Sequence, residues 1–234
     1  MKLKVAILSA SIVTALALLA SDAAMAAPVE FKGSTFQEKE GEMILLGVGN
    51  RYKVGGLVNV YNAGFYVNQA KMEDALAKYL EKKPEAFASM MGADGKPDWE
   101  KVRNSGAFNT IIWKYGFPKK LIMKFMYNVP GDKIVEAYTD SLGKTLKDFE
   151  APEVKADLEK FFAAVDHDVK VGQVMVVSSN GDTVNVAHPT ETVKIENNWK
   201  FRQAMWRVWF GPSPIQEPLK KNLTQFASKL TWPK

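Results

Sequence analysis

The chain has 234 residues, 47% of them apolar, no cysteine, and 31 basic against 26 acidic side chains for a net charge of +5. Without cysteine, disulfides, thiolate nucleophiles and thiolate metal sites are excluded, so stability must come from packing, and a chain of this length can bury a sizeable core. The basic residues are scattered along the chain instead of gathered on one helix, which argues against a nucleic-acid partner.

Lys2 and Lys4 precede an apolar run from Val5 to Leu19, which gives way to Ala24-Met25-Ala26. That is the pattern of a cleavable export leader of bacterial type, with residues 1–26 removed and the mature chain delivered to the periplasm. The run is short for a membrane span, and no later segment offers an uncharged apolar stretch of about 18 residues. The expectation is therefore a single soluble domain over residues 27–234, with no transmembrane segment. Loss of Lys2, Lys4 and Asp22 with the leader would leave a net charge of about +4.

After an extended start at Val29 to Lys32, Glu42 to Leu46 reads as a strand running into a Gly-rich turn, Gly47-Val48-Gly49-Asn50-Arg51. The glycine pair signals a backbone that bends tightly or admits a close neighbour. Leu57 to Val67 (LVNVYNAGFYV) carries no charge and no proline and predicts a central strand. Met72, Leu76, Tyr79 and Leu80 set one apolar stripe on a helix that Pro84 ends.

From about residue 84 to 116 the chain is rich in turn signals, including Gly92, Asp94-Gly95, Pro97 and Gly106, and reads as an excursion with a short helix near Trp99 to Val102. Its apolar content, with Phe87, Phe108, Ile111, Ile112 and Trp113 among others, exceeds what a solvated loop needs. Packing on the outer sheet face is the expected role, with a lid over a pocket or a docking surface as alternatives.

Leu121, Met123, Phe125 and Tyr127 fall on one face of the next strand. Pro130-Gly131-Asp132 feeds a helix striped by Ile134, Tyr138, Leu142 and Leu146, and Pro152 opens another with Val154, Leu158, Phe161, Phe162 and Val165. Val171 to Val177 and Thr183 to Ala187 flank Asn180-Gly181 as a hairpin with two positive φ angles, and Thr192 to Ile195 extends the meander. Phe201, Ala204, Met205, Val208 and Trp209 define a helix stopping at Gly211-Pro212, and Ile215 to Leu230 predicts a last one. This order gives an α+β fold, an antiparallel sheet covered on one face by helices.

Two segments then resemble the chalcone isomerase family, in its bacterial chalcone isomerase-like branch. GVGNRYKVGGLVNVYNAGFYV, Gly47 to Val67, is similar to the family's Gly-x-Gly-x-Arg turn and long strand. FRQAMWRVWFGPSPIQEPLKKNL, Phe201 to Leu223, is similar to its C-terminal helix, Trp-hydrophobic-Gly turn and Leu-Lys-Lys helix. The resemblance implies the family's open-faced β-sandwich over nearly all of the mature chain, with residues 84–116 as an apparent insertion.

The resemblance also implies a site. Arg51 matches the arginine that polarises substrate in the family's enzymes, and Tyr61 falls where those enzymes carry a strand threonine. Their helix tyrosine and asparagine fall at Ile134 and Ser141, and Tyr138 lies one helical turn beyond Ile134. The isomerase set is thus incomplete, and non-catalytic relatives are implied to bind fatty acids. Arg51, Tyr61, Tyr138 and Ser141 are the candidate ligand-binding residues, with Arg51 the candidate catalytic group if there is catalysis.

A guanidinium offers a fork of donors suited to a carboxylate or an enolate-like oxygen. The residues alone leave open that Arg51 pairs with a carboxylate such as Glu42, and that Tyr61 is a core aromatic. His167 and His188 are too far apart in sequence, and too isolated, to predict zinc, while a single histidine or Tyr61 leaves haem as a minor option, so no cofactor is expected. No Gly-x-Ser-x-Gly motif or complete dinucleotide fingerprint is present, and Trp206 and Trp209 read as core. The expected function is an exported binder of a small lipophilic or fatty-acid-like ligand. An intramolecular lyase acting on a polarised carbonyl is the alternative, and an envelope interaction protein a second.

Overall fold

The computed structural model describes residues 27–53, 55–145 and 152–233, so the leader and Leu146 lie outside the described residues. Two short strands, β1 (Val29–Phe31) and β2 (Ser34–Phe36), pair as a hairpin separate from the main sheet. The main sheet has seven antiparallel strands in sequence order. Its first four are β3 (Lys39–Glu40), β4 (Met43–Lys53), β5 (Val58–Asn68) and β6 (Lys119–Phe125).

Helix α1 (Gln69–Lys82) follows β5 and buries Met72, Ala75 and Leu76 along the predicted stripe. A 3₁₀ turn over Pro84–Met90 and helices α2 (Trp99–Asn104) and α3 (Gly106–Lys114) precede β6. After β6 come α4 (Gly131–Thr145) and α5 (Pro152–Val165). Strands β7 (Val174–Asn180), β8 (Thr183–Ala187) and β9 (Thr192–Ile195) complete the sheet. Helix α6 (Trp199–Phe210), α7 (Glu217–Asn222) and a 3₁₀ turn at Ala227–Lys229 end the described chain.

The helices gather on one face of the sheet around one large core, which includes Phe65, Leu121, Val177, Trp206 and Trp209. The other face holds a smaller cluster, Phe36, Leu45, Val48 and Tyr66, covered by the β1–β2 hairpin. Asn62, fully buried on β5, pins that hairpin by donating to Lys32 O (3.0 Å) and Ser34 Oγ (2.9 Å). Alternating exposure along β6 and β8 follows from period-2 side-chain alternation in strands that face the core on one side.

Four expectations need correction. Gly47 and Gly49 do not make a turn, because β4 continues through them, with a bulge between Leu45 and Gly47. A Cβ at Gly47 would lie 2.3 Å from Asn222 O and one at Gly49 2.9 Å from Leu219 Cδ1. The pair therefore serves the close neighbour, letting α7 lie directly on the strand. The turn comes later, at Gly55 (φ +61°) and Gly56 (φ +93°).

The excursion is largely helical. Ser105 caps α3 by accepting from Phe108 N (3.1 Å), which puts Gly106 at the first helical position and not in a turn. Phe87, Val102, Phe108, Ile111 and Ile112 are all buried in the main core, so the segment joins the helix-covered face rather than the outer one. At the β7–β8 hairpin Asn180 pairs with Thr183, leaving Gly181 (φ +58°) and Asp182 as the two turn residues. A glycine with positive φ at the first central position is the type II′ pattern, so only one positive φ is needed. The last predicted helix is shorter, confined to Glu217–Asn222, although Leu219, Leu223 and Leu230 are buried as its stripe requires.

At the end of the sheet where β5 meets α1, Lys119 is fully buried. Its Nζ donates to Tyr115 O (2.6 Å) and Phe117 O (3.4 Å) and sits 3.8 Å from the centroid of the Phe117 ring. Arg202 donates from Nη1 to Trp113 O and Lys114 O (3.4 and 3.1 Å) and from Nε to Asp182 Oδ1 (3.2 Å). Two buried cations thus meet the carbonyl end of α3, where the helix dipole favours positive charge. Burial holds the Lys119 ammonium well below its ordinary pKa, with the Arg202 charge adding to the effect.

Candidate functional site

The opposite end of the same sheet face contains a cavity of about 180 Å³ between β4–β7, α4 and α6. Strand register builds its floor. Arg51 pairs with Tyr61 across β4–β5, and Tyr61 with Phe125 across β5–β6. Directly opposed residues share a face, so all three side chains turn toward the helices. Met123 and Met175, paired across β6–β7, extend the floor. The alternation that places Gly47 and Gly49 under α7 carries Arg51 to the same side, one step further along β4.

Helical spacing builds the roof. Ile134, Ala137 and Tyr138 of α4 line the cavity at i, i+3 and i+4, and α6 contributes Trp209. Tyr138 meets Trp209 edge-on (6.2 Å between centroids, 81°) and Phe161 likewise (4.9 Å, 88°). Ser141 lies one turn further along α4, where its hydroxyl donates to Ala137 O (2.8 Å), and it is not among the lining residues. The exposed lining residues Lys53, Tyr127, Asn128, Pro130 and Lys133 mark the mouth, and the buried ones, Tyr61, Phe125, Tyr138, Met175 and Trp209, mark the interior.

The polar groups inside are few. Trp209 Nε1 donates to the Tyr61 hydroxyl (3.3 Å), which leaves the Tyr61 O–H available as a donor to something else. Burial raises the Tyr61 phenol above its ordinary pKa, against the opposing pull of Arg51 and of the Trp209 N–H. Burial raises Tyr138 as well, the Tyr61 phenol adds to the shift, and Arg51 opposes it. Both phenols stay protonated at any physiological pH. The Tyr138 hydroxyl has no hydrogen-bond partner among the described residues.

Arg51 is half-buried, and its guanidinium makes no ion pair or hydrogen bond with any described residue. Glu42 is not its partner: that carboxylate lies just before β4, at the end remote from Arg51, and accepts from Asn68 Nδ2 (3.4 Å). An unpaired guanidinium beside two neutral phenols over an apolar floor offers donors and no acceptor of charge. It suits a carboxylate or another oxyanion attached to an apolar body. Among the described lining residues there is no Asp, Glu or His to act as a general base.

No residue of the 84–116 excursion lines the cavity, so the segment is not a lid over it. His167 and His188, apart in sequence, come together with ring centroids 5.9 Å apart. His167 Nε2 is 3.6 Å from Glu191 Oε2, and His188 Nδ1 is 2.8 Å from Thr190 Oγ1. Neither histidine lines the cavity, and among the described residues no group of three His, Cys, Asp or Glu side chains is placed to hold a metal ion. Sequence reasoning missed Trp209 as a site residue. It counted Trp209 as core, which is correct by burial, and only the bond to Tyr61 reveals its second role.

Comparison with known proteins adds three findings. A family model described as chalcone isomerase-like matches residues 103–224. That span contains the Phe201 to Leu223 motif but not the Gly47 to Val67 one, and it begins inside the excursion. No curated protein sequence matches the chain. Among solved structures, a fatty-acid binding protein of Arabidopsis thaliana is similar with a TM-score of 0.63 at 17% identity, over 86% of this chain and 98% of that one. This likeness shows that the two share a fold.

Proposed function

The chain belongs to the chalcone isomerase-like family, and we propose that it is a non-catalytic binder of a small lipophilic carboxylate of fatty-acid type. In this reading the carboxylate accepts from the Arg51 guanidinium and the Tyr61 and Tyr138 hydroxyls, and the chain lies along Phe125, Met123 and Met175. The leader pattern at residues 1–26 supports action in the periplasm after export. The reading requires no cofactor.

One observation carries it: the Arg51 guanidinium faces an apolar cavity without a partner among the described residues, and among the described lining side chains none is a carboxylate or imidazole. A half-buried guanidinium at the edge of an apolar cavity offers its donors to an acceptor that a ligand brings, and a hydrogen bond to a charged group is among the stronger ones. Intramolecular lyase chemistry needs a group that takes or gives a proton in reach of the substrate. Ile134 lines the cavity where the family's enzymes are implied to carry a tyrosine, which favours binding over turnover. The fatty-acid binding neighbour supports the same ligand class. Among the described residues no helix is long and apolar enough to cross a membrane.

The test is calorimetric titration of the mature protein with decanoate, beside native mass spectrometry of protein purified from its host. Arg51→Ala is expected to weaken decanoate binding about ten- to a hundredfold, the scale of a hydrogen bond to a charged group. A wild-type protein that carries no lipophilic acid and takes up no decanoate would overturn the proposal.

A further inference from the structure

The mouth of the cavity is surrounded by apolar side chains that no part of the fold covers. Antiparallel pairing brings the β4–β5 turn, the exit of β6 and the entry of β7 to one end of the sheet. The three tips are tied together there: Met126 N donates to Val60 O (3.0 Å), Val171 N to Asn128 Oδ1 (2.8 Å) and Gly172 N to Phe125 O (2.8 Å). At these tips stand Leu57, Tyr127, Val171 and Val174, exposed by 84%, 54%, 57% and 39%. Of the five large apolar residues most exposed in the described chain, four are therefore at the cavity end.

Cations flank them. Lys32, whose Nζ bonds the Tyr52 hydroxyl, and Arg51 and Lys53 have no carboxylate within ion-pair distance among the described residues. Lys133 and Lys170 stand beside them but are paired, Lys133 with both Glu136 (2.6 Å) and Asp132 (3.9 Å) and Lys170 with Asp168 (2.9 Å). These five cations outnumber the three carboxylates that pair with them, Asp132, Glu136 and Asp168, so the balance of charge among these groups is positive.

We propose that this rim docks onto an anionic lipid bilayer, so that the protein takes up and delivers its ligand directly through the mouth. The proposal rests on the lipophilic-carboxylate reading above, since a ligand of that class resides in membranes. The apolar residues sit on separate loop tips, too small and scattered to match the roughly 800 Å² that each partner buries in a stable protein interface. Isolated apolar tips within a collar of lysines fit a bilayer instead. The tips enter the acyl boundary while the ammonium groups stay at the level of anionic headgroups. Cavity mouth and rim share Lys53 and Tyr127, so a docked molecule would open onto the lipid.

The experiment compares sedimentation of the mature protein with vesicles of phosphatidylcholine alone and of phosphatidylcholine mixed with phosphatidylglycerol. It also follows transfer of decanoate from those vesicles to the protein. Leu57 and Val171 are exposed and do not line the cavity, so the double variant Leu57→Glu/Val171→Glu is expected to fold normally and to bind free decanoate as the wild type does. Its transfer rate from phosphatidylglycerol vesicles should fall at least about tenfold, the scale of losing the burial of one large aliphatic side chain. Lys32→Glu should weaken vesicle binding with free decanoate affinity unchanged.

Equal transfer by wild type and double variant, or no preference for phosphatidylglycerol, overturns the docking proposal while leaving the pocket intact. Absence of decanoate binding in the wild type overturns the pocket reading, and the docking role with it. Self-association of the wild type that the double variant abolishes would assign the rim to a second copy of the chain, and would likewise overturn bilayer docking.

Discussion

The two ends of the helix-covered sheet face are built from similar residues and left in opposite states. Helix α6 crosses both, with a tryptophan at each. Trp206 donates to Ser179 Oγ (2.8 Å) at the closed end, and Trp209 donates to the Tyr61 hydroxyl (3.3 Å) beside the cavity. Cations occur at both ends as well. At the closed end Lys119 and Arg202 are matched to the carbonyls that end α3, and the excursion's apolar side chains fill the space between. At the open end Arg51 and the Tyr138 hydroxyl face a cavity with no such acceptors. Polar groups alone do not mark a candidate site; donors that converge, unpaired among the described residues, on an apolar cavity do.

Three changes sharpen or break that contrast. The largest effect belongs to the closed end, where Phe108 is fully buried in the main core. Phe108→Ala should cost about 3–5 kcal/mol of stability by urea denaturation, with decanoate affinity of the remaining folded protein unchanged. A loss of affinity parallel to the loss of stability would show that the two ends are not independent.

Tyr138→Phe probes the open end. It removes a hydroxyl with no described protein partner, so stability should change by no more than about 0.5 kcal/mol, while decanoate binds several-fold more weakly. A large destabilisation would mean that the hydroxyl is structural and would remove it from the site.

The smallest effect is a pH dependence. His188, at the end of β8 close to the open end, is held below its ordinary pKa of 6.5 by burial and by the neighbouring His167, with Glu191 and the His167 backbone pulling the other way. A group whose folded pKa is depressed binds fewer protons when folded than when unfolded, so stability is lost as pH falls from 6.5 through the folded value. The midpoint of thermal unfolding should drop between about pH 7 and pH 5, and His188→Gln should flatten that drop. An unchanged slope in the variant would place the acid sensitivity elsewhere.

Much of the architecture was legible in the sequence, because period-2 and period-3.6 patterns are local and the core imposes them directly. The stripes Met72–Leu76 and Phe201–Trp209 are buried where they were expected. The errors share a physical origin. Gly47 and Gly49 have no side chain whose pattern could report α7 and the residue after it pressing on them, so the local reading gave a turn. Gly106 carries the same ambiguity, since a glycine after an N-cap serine looks like loop until the helix is seen.

The site divides in the same way. Arg51 and Tyr61 came from a motif within one hairpin, and Tyr138 from helical spacing. Phe125, Met175 and Trp209 join them only through strand register and the seating of α6, which no single segment encodes. Ser141 shows the converse: motif counting pointed to it, and its hydroxyl is engaged by Ala137 O.

The contact of α7 with the glycines of β4 bears on the order of assembly. Asn222 touches Gly47, Tyr52 N donates to Gln216 Oε1 (3.0 Å), and Ile215 lines the cavity. One wall of the cavity is therefore closed by the segment around α7 docking onto β4, far earlier in the sequence. Contacts so distant in sequence require a costly loop closure and form late. As the chain emerges during synthesis, the hairpin carrying Arg51 is available long before the segment that completes its pocket. On the binding role proposed above, ligand recognition would thereby require α7, and a molecule shortened before α7 would display Arg51 without that wall of the cavity.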